Sequence, residues 1–195
     1  MISDLAAVRQ AVSASCPRGG QSTVIVAIDG FGGSGKSTLA AQILAEHPGV
    51  VVHTDDFASW DNPLDWWPRL VDQVLRPLSH NEVARYQRYD WDDRVLAEWH
   101  DVEPGGLVIV EGVSSSRAAL RPYISLSIWV DTPRALRLQR GIQRDGEEMR
   151  DQWLGWMASE DAWASDEDPR SHADLVISGE RTHRTMGEPE GSPKP

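Results

Sequence analysis

The chain has 195 residues, a net charge of −11 and one cysteine, Cys16. That length holds one α/β domain with a proper core and not two large ones, and the acidic balance argues against nucleic acid as a partner, because phosphate backbones require a basic footprint. One cysteine excludes an intrachain disulfide and a cysteine-rich metal site. Together with a start that lacks the basic and apolar runs of a secretory leader, and the lack of any membrane-length apolar stretch, it gives a cytoplasmic expectation with no membrane partner.

Residues 3–14 have helical spacing, with Leu5, Val8 and Val12 on one side and Ser3 as the N-cap; Cys16-Pro17-Arg18-Gly19-Gly20 ends that helix. Residues 24–28 read as a buried strand and 38–45 as a helix. Between them stands Gly30-Phe31-Gly32-Gly33-Ser34-Gly35-Lys36-Ser37, which fits G-x-x-x-x-G-K-[ST] in the strand–loop–helix setting that this pattern needs. Its glycines let successive N–H groups turn inward on one phosphate chain, and the helix dipole adds positive potential at the same point. Lys36 supplies a point charge for the outer phosphates, and the Ser37 hydroxyl suits Mg²⁺. The expected phosphate site is Gly30, Gly32, Gly33, Ser34, Gly35, Lys36, Ser37 and Thr38.

Residues 50–53 read as a second short buried strand, followed by Asp55-Asp56-Phe57. Strand C-termini face the ligand crevice in this architecture. A carboxylate there can take the proton of a hydroxyl attacking a γ-phosphate, which makes Asp55 the candidate base and Asp56 a helper or a contact to Mg²⁺-bound water; the bland alternative is a helix-capping pair. Residues 60–100 show no buried-strand pattern and hold Trp60, Trp66, Trp67, Trp91 and Trp99. They read as a helical insert that either covers a ligand or fills a satellite core. Arg85, Arg88 and Arg94 within it could address an anionic acceptor or pair with Asp90, Asp92 and Asp93.

Residues 107–110 form the third strand, and Glu111 at its end can hold a Mg²⁺-bound water beside the loop. Residues 126–130 and 175–177 supply the fourth and fifth strands; apolar runs alternating with helices imply a parallel sheet. Arg134, Arg137, Arg140 and Arg144 are spaced to share one helix face, either as a lid over transferring phosphate or as a solvated basic stripe. Trp153, Trp156, Glu160 and Trp163 follow helical spacing and read as a buried stripe, the alternative being a pocket wall that stacks a ring. One domain over 1–186 results, with an insert at 60–100, a lid and following helix at 132–165, and a polar, proline-rich tail at 187–195 expected to be disordered.

Taken in order, Ala27-Ile28-Asp29-Gly30, Gly33 through Thr38, His53-Thr54-Asp55-Asp56-Phe57, Tyr89-Asp90-Trp91, Glu111-Gly112 and Arg137 through Asp145 resemble the uridine kinase-like branch of the P-loop kinases. The resemblance spans roughly 22–179, where Ala173 through Ile177 looks like the last strand. It implies a five-stranded parallel sheet in the order 2-3-1-4-5, ATP with Mg²⁺, and phosphoryl transfer to a small-molecule hydroxyl. It places Asp55 as base and Arg137, Arg140 and Arg144 as lid arginines, with Lys36 and Arg140 at the chemistry. It also implies acceptor contacts at Tyr89 and Asp90, beside which Asp56 and Arg94 are candidates. The chain departs from the pattern after Trp91: Asp92-Asp93-Arg94-Val95 stands where uridine kinases carry a histidine used on the base. Two other readings compete, a nucleotide-dependent ATPase or switch protein and a nucleoside monophosphate kinase. A homo-oligomer is compatible with all three.

Overall fold

The structure is a computed structural model and describes residues 4–180. The expected N-cap Ser3 and tail 187–195 lie outside the described residues. Helix α1 (Leu5–Ala14) precedes strand β1 (Thr23–Asp29), helix α2 (Lys36–Leu44) and strand β2 (Gly49–His53). Short helices α3 (Trp67–Leu70) and α4 (Arg76–Ser79), joined by a π-helical stretch over Val71–Leu75, lead into strands β3 (Ala84–Asp90) and β4 (Val95–Val102). Strands β5 (Gly106–Glu111) and β6 (Leu126–Asp131), helices α5 (Arg134–Asp145) and α6 (Arg150–Glu167), and strand β7 (Leu175–Ser178) complete the chain.

Five of these strands form one sheet in the order β2-β5-β1-β6-β7, with every pairing parallel. Counted among themselves along the chain, they stand 2-3-1-4-5, as the resemblance implies. The central strands are continuous apolar runs because both their faces are covered. Ile25 and Ala27 of β1 join Val108 and Val110 of β5 in a core under Trp66, Leu70, Val74, Leu78 and Leu120. Val26, Ile28 and Ile109 face the other way, onto Val8 and Val12 of α1 and Leu39 and Ile43 of α2. Strand β2 differs from its expectation as a buried strand. It lies at the sheet edge, where Val52 is buried and Val50 is exposed.

The insert is only half helical. Its second half, β3 and β4, is an antiparallel hairpin with Ala84 opposite Val102 and Asp90 opposite Val95, irregular between Gln87 and Tyr89. Ala84, Tyr86 and Val102 face the core while Arg85, Val95 and Trp99 face solvent. A strand needs only that alternation on one face. Arginine, glutamate and tryptophan at the outer positions hide the pattern from a search for apolar runs. The helical half widens to a π turn just ahead of Pro77, which has no N–H to donate and crowds the preceding turn.

Candidate active site

Parallel register brings the site together. Glu111 pairs with Ile28 on one side and His53 on the other, so the ends of β1, β2 and β5 lie level at the sheet's C-terminal edge. The glycine loop leaves β1 at that edge and enters α2 at Lys36. Gly33 has φ +75°, and a Cβ there would lie 2.6 Å from the Arg137 carbonyl oxygen, so the loop passes α5 at a distance only glycine permits. Asp29, fully buried, ties the loop's entry to the segment after β5. Its carboxylate accepts from the amides of Gly30 (2.7 Å), Ser114 (2.9 Å) and Ser116 (2.8 Å) and from the Ser116 hydroxyl (2.7 Å). Burial raises this carboxyl above its usual range against those hydrogen bonds.

The loop opens on a cavity of about 530 Å³. Gly32, Gly33, Gly35, Lys36, Ser37 and Thr38 line one end of it; Gly30 and Ser34 are buried behind. Lys36 Nζ donates to the Phe31 carbonyl at 3.1 Å. The Ser37 hydroxyl donates to Glu111 Oε1 at 3.1 Å, and His53 Nδ1 lies 2.8 Å from Glu111 Oε2. Burial alone would raise Glu111, but the His53 hydrogen bond and Lys36 outweigh it and hold the carboxyl below its ordinary range. His53 is held above its ordinary value, chiefly by the same hydrogen bond. Asp55, on a 3₁₀ turn after β2, faces the cavity. Although the residue keeps an exposed edge, the surrounding walls desolvate its carboxyl and raise its pKa, with Lys36 opposing.

The arginines of α5 divide their roles. Arg140 lines the cavity and donates to the carbonyls of Gly33 (3.1 Å), Ser34 (3.3 Å) and Gly179 (2.9 Å). Arg144 also lines it, holding Asp145 through two hydrogen bonds and lying over the Trp153 ring. Arg137 departs from the expected lid face. It is buried, donates to the Thr132 carbonyl and lies 4.3 Å from the Phe31 ring centre, so it braces the loop from behind. Arg134 pairs with Asp161 at the surface. A repeat of three and four residues drifts around a helix, and packing of α6 against α5 decides which turn points inward.

Helix α6 carries both readings of its tryptophan spacing, with Trp163 buried and away from the cavity. Trp153 and Glu160 are buried, Trp156 half-buried, and all three line the cavity. Gly141 lets the Trp153 ring lie directly on α5, since a Cβ there would fall 2.4 Å from it. Both Glu160 oxygens accept from the Gly32 amide at 3.1 Å, and Arg137 Nη1 lies 3.6 Å away. Burial raises the Glu160 carboxyl against the pull of Lys36. The only advance signal for Glu160 was a carboxylate within an apolar stripe; His53 gave none beyond its place before Asp55.

Four expected acceptor residues do not line the cavity. Asp56 accepts from the Tyr86 hydroxyl at 3.1 Å. Asp90 closes the hairpin turn, accepting from the amides of Asp92 and Asp93 at 3.0 Å and from Arg88 at 2.9 Å. Tyr89 packs edge-on against Trp91, and Arg94 lies over Trp60. The turn consumes these polar groups, and the segment reaches the cavity through Trp91, whose Nε1 donates to the Asp55 carbonyl at 3.0 Å.

The residues fit a magnesium-bound nucleotide. The loop amide of Gly32 already holds a carboxylate, the Lys36 ammonium donates to the Phe31 carbonyl within the field of Asp55, Glu111 and Glu160, and Ser37 with Glu111 offers the hard oxygen donors that Mg²⁺ prefers. No family model matches the chain. Among curated proteins it is 28% identical over 144 residues to a uridine kinase of Alkaliphilus metalliredigens, covering 64% of this chain and 69% of the relative. It is 29% identical over 145 residues to a uridine kinase of Macrococcus caseolyticus, covering 65% and 70%. Among solved structures, one described as a possible uridine kinase from Bacillus stearothermophilus superposes with a TM-score of 0.63 at 22% identity, covering 88% of this chain and 96% of that one. The fold is that of P-loop kinases, and the similarity to uridine kinases read from the motifs holds over about two thirds of the sequence.

Proposed function

From a P-loop kinase fold with uridine kinases among its relatives, we propose that this chain transfers the γ-phosphate of ATP to a hydroxyl of a small molecule. One observation supports this above the others: Asp55, with a raised pKa, faces the same cavity as Lys36, Ser37 and Glu111. A carboxylate that burial makes more basic and a phosphate cradle across one cavity suit attack by a hydroxyl.

ATP with Mg²⁺ brings the phosphoryl group and the divalent charge that offsets it. The loop amides and Lys36 hold the phosphates, and Ser37 and Glu111 hold the metal. Asp55 orients the acceptor hydroxyl and takes its proton as the new O–P bond forms and ADP departs. Lys36 and the cavity-lining Arg140 offset negative charge on the phosphoryl oxygens. Arg140 also braces the loop through its carbonyl bonds. Trp153 and Trp156 wall the cavity with apolar surface, which favours the alcohol over water. A reducing, cytoplasmic setting belongs to the same proposal and suits the exposed free thiol of Cys16.

The test is ADP release with magnesium and a panel of alcohols. Wild-type protein should release ADP in proportion to a phosphorylated product, and Asp55→Asn should bind ATP but release almost none. Wild-type turnover by the variant would remove Asp55 from the role.

A further inference from the structure

The end of the cavity away from the loop has its own chemistry. Pro63, Leu64, Trp66, Trp91 and Trp156 wall it. The indoles are fixed by contacts within the protein. Trp91 donates to the Asp55 carbonyl, Trp60 donates to the Trp91 carbonyl at 3.0 Å, and Trp60 stacks on Trp156 with ring centres 6.0 Å apart. Their polar N–H groups are committed at Trp60 and Trp91, which leaves ring surface to meet a ligand.

Charge in this region is committed as well. Arg69 donates to the carbonyls of Phe57 and Gln87, Arg85 pairs with Asp101, and Arg88 pairs with Asp90 and Glu98. With Arg94 on Trp60, none of these arginines lines the cavity. Arg144 does, but Asp145 already takes its fork. Lys36 and Arg140 line the loop end, where carbonyls hold them. Asp55, whose carbonyl accepts from Trp91, brings negative charge toward the far end and disfavours an anionic acceptor there. Beyond the loop the uncharged polar side chains on the cavity are few, Thr54 and Ser159, and the Ser159 hydroxyl donates to the Gly155 carbonyl. Among the described residues, no asparagine or glutamine lines the cavity, and the His53 ring is engaged by Glu111. A site that reads a heterocycle's edge needs such groups, and discrimination of that kind depends on them.

We propose that the acceptor is an uncharged alcohol carried on a flat apolar or aryl body, selected by indole surfaces and not by hydrogen bonds to a base or ion pairs to a phosphate. The inference rests on the kinase reading of the same cavity. It places the hydroxyl at Asp55, whose carbonyl accepts from Trp91, and the ring against Trp91 and Trp156, both of which Trp60 touches.

The probes are 2-(2-naphthyl)ethanol, uridine and uridine 5′-monophosphate, each assayed for ADP release with MgATP. Binding is read separately by saturation-transfer NMR with ADP and magnesium. The naphthyl alcohol should surpass uridine in kcat/KM by about tenfold or more, in keeping with stacking and apolar area as the source of affinity, and the monophosphate should be inert. Trp156→Ala should raise KM for the naphthyl alcohol by about tenfold while leaving calorimetric MgATP affinity unchanged, and Trp156→Phe should restore most of the loss. Preference for uridine or its monophosphate, or a KM indifferent to Trp156→Ala, would overturn the inference and leave the kinase reading standing. Naphthyl binding without ADP release from any of the three alcohols would support the aryl pocket and remove the kinase reading. Neither binding nor release would overturn both.

Discussion

The two ends of the cavity are built differently. The phosphate end is mostly main chain from one contiguous stretch, held by long-range bonds: Asp29 to the segment after β5, Thr132 to the Ser34 carbonyl, Arg140 to Gly33 and Ser34. The acceptor end is side chain, assembled from the insert and α6, with tryptophans in contact with one another. Backbone geometry can be fixed by a few glycines and buried hydrogen bonds, so the first end suits a ligand part that never varies. Side-chain walls can be exchanged one at a time, so the second suits selection among ligands.

If the ends act separately, a change at their junction should cost turnover and spare binding. Asp55→Asn should cut kcat about 10²–10⁴-fold, the usual range for a lost general base, with calorimetric ATP affinity unchanged. Parallel loss of affinity would show the ends to be one unit. Gly33→Ala tests the backbone end alone. Alanine at φ +75°, with its Cβ 2.6 Å from a carbonyl oxygen, should introduce about 1–3 kcal/mol of strain. ATP affinity should fall tenfold or more, together with the melting temperature; an unchanged affinity would show that the loop tolerates a side chain.

Glu160 joins the ends, since it leaves α6 beside Trp156 and caps the Gly32 amide. Its charge should oppose phosphate, so Glu160→Gln should tighten ATP binding several-fold while keeping an acceptor for Gly32. Because burial raises its carboxyl, the native state binds its proton more tightly than the unfolded chain does. Stability from this group therefore declines as pH rises from the ordinary glutamate value through the raised one. Wild-type ATP affinity should strengthen as pH falls toward that raised value, and the glutamine variant should lack this component.

The smallest effect is at His53. Its pKa lies above the ordinary 6.5 through Glu111, so its contribution is complete below 6.5 and disappears as pH rises through the raised value. With half the side chain exposed, solvent screening limits it to under about 1 kcal/mol. Urea unfolding of His53→Ala should differ from wild type only on the acidic side.

The glycine loop's place was legible because its residues are consecutive and carry their own context of strand and helix. The sheet order was legible through the resemblance, and all five strands through short, mostly apolar runs. β2 looked the same in sequence but lies at an edge, a distinction made by its neighbours and not by Val50 itself. The acceptor end was much less legible. Tyr89, Asp90 and Arg94 seemed suited to a ligand, yet a tight turn absorbed Asp90 and the adjacent indoles took the other two. Arg137 and Arg140 are three residues apart, but the line of α6 buries one and opens the other to the cavity. Such outcomes depend on how two helices lie together, which spacing along one of them does not specify.

The central claim is that the loop from Gly30 to Ser37 binds a nucleotide polyphosphate, and calorimetry with ATP and magnesium tests it most directly. Wild-type protein should bind at one site with a Kd between about 1 μM and 1 mM, the span common for enzyme substrates, and Lys36→Ala should weaken binding at least tenfold. Folded wild-type protein that takes up no ATP at millimolar concentration, or a Lys36→Ala variant that binds equally well, would contradict it.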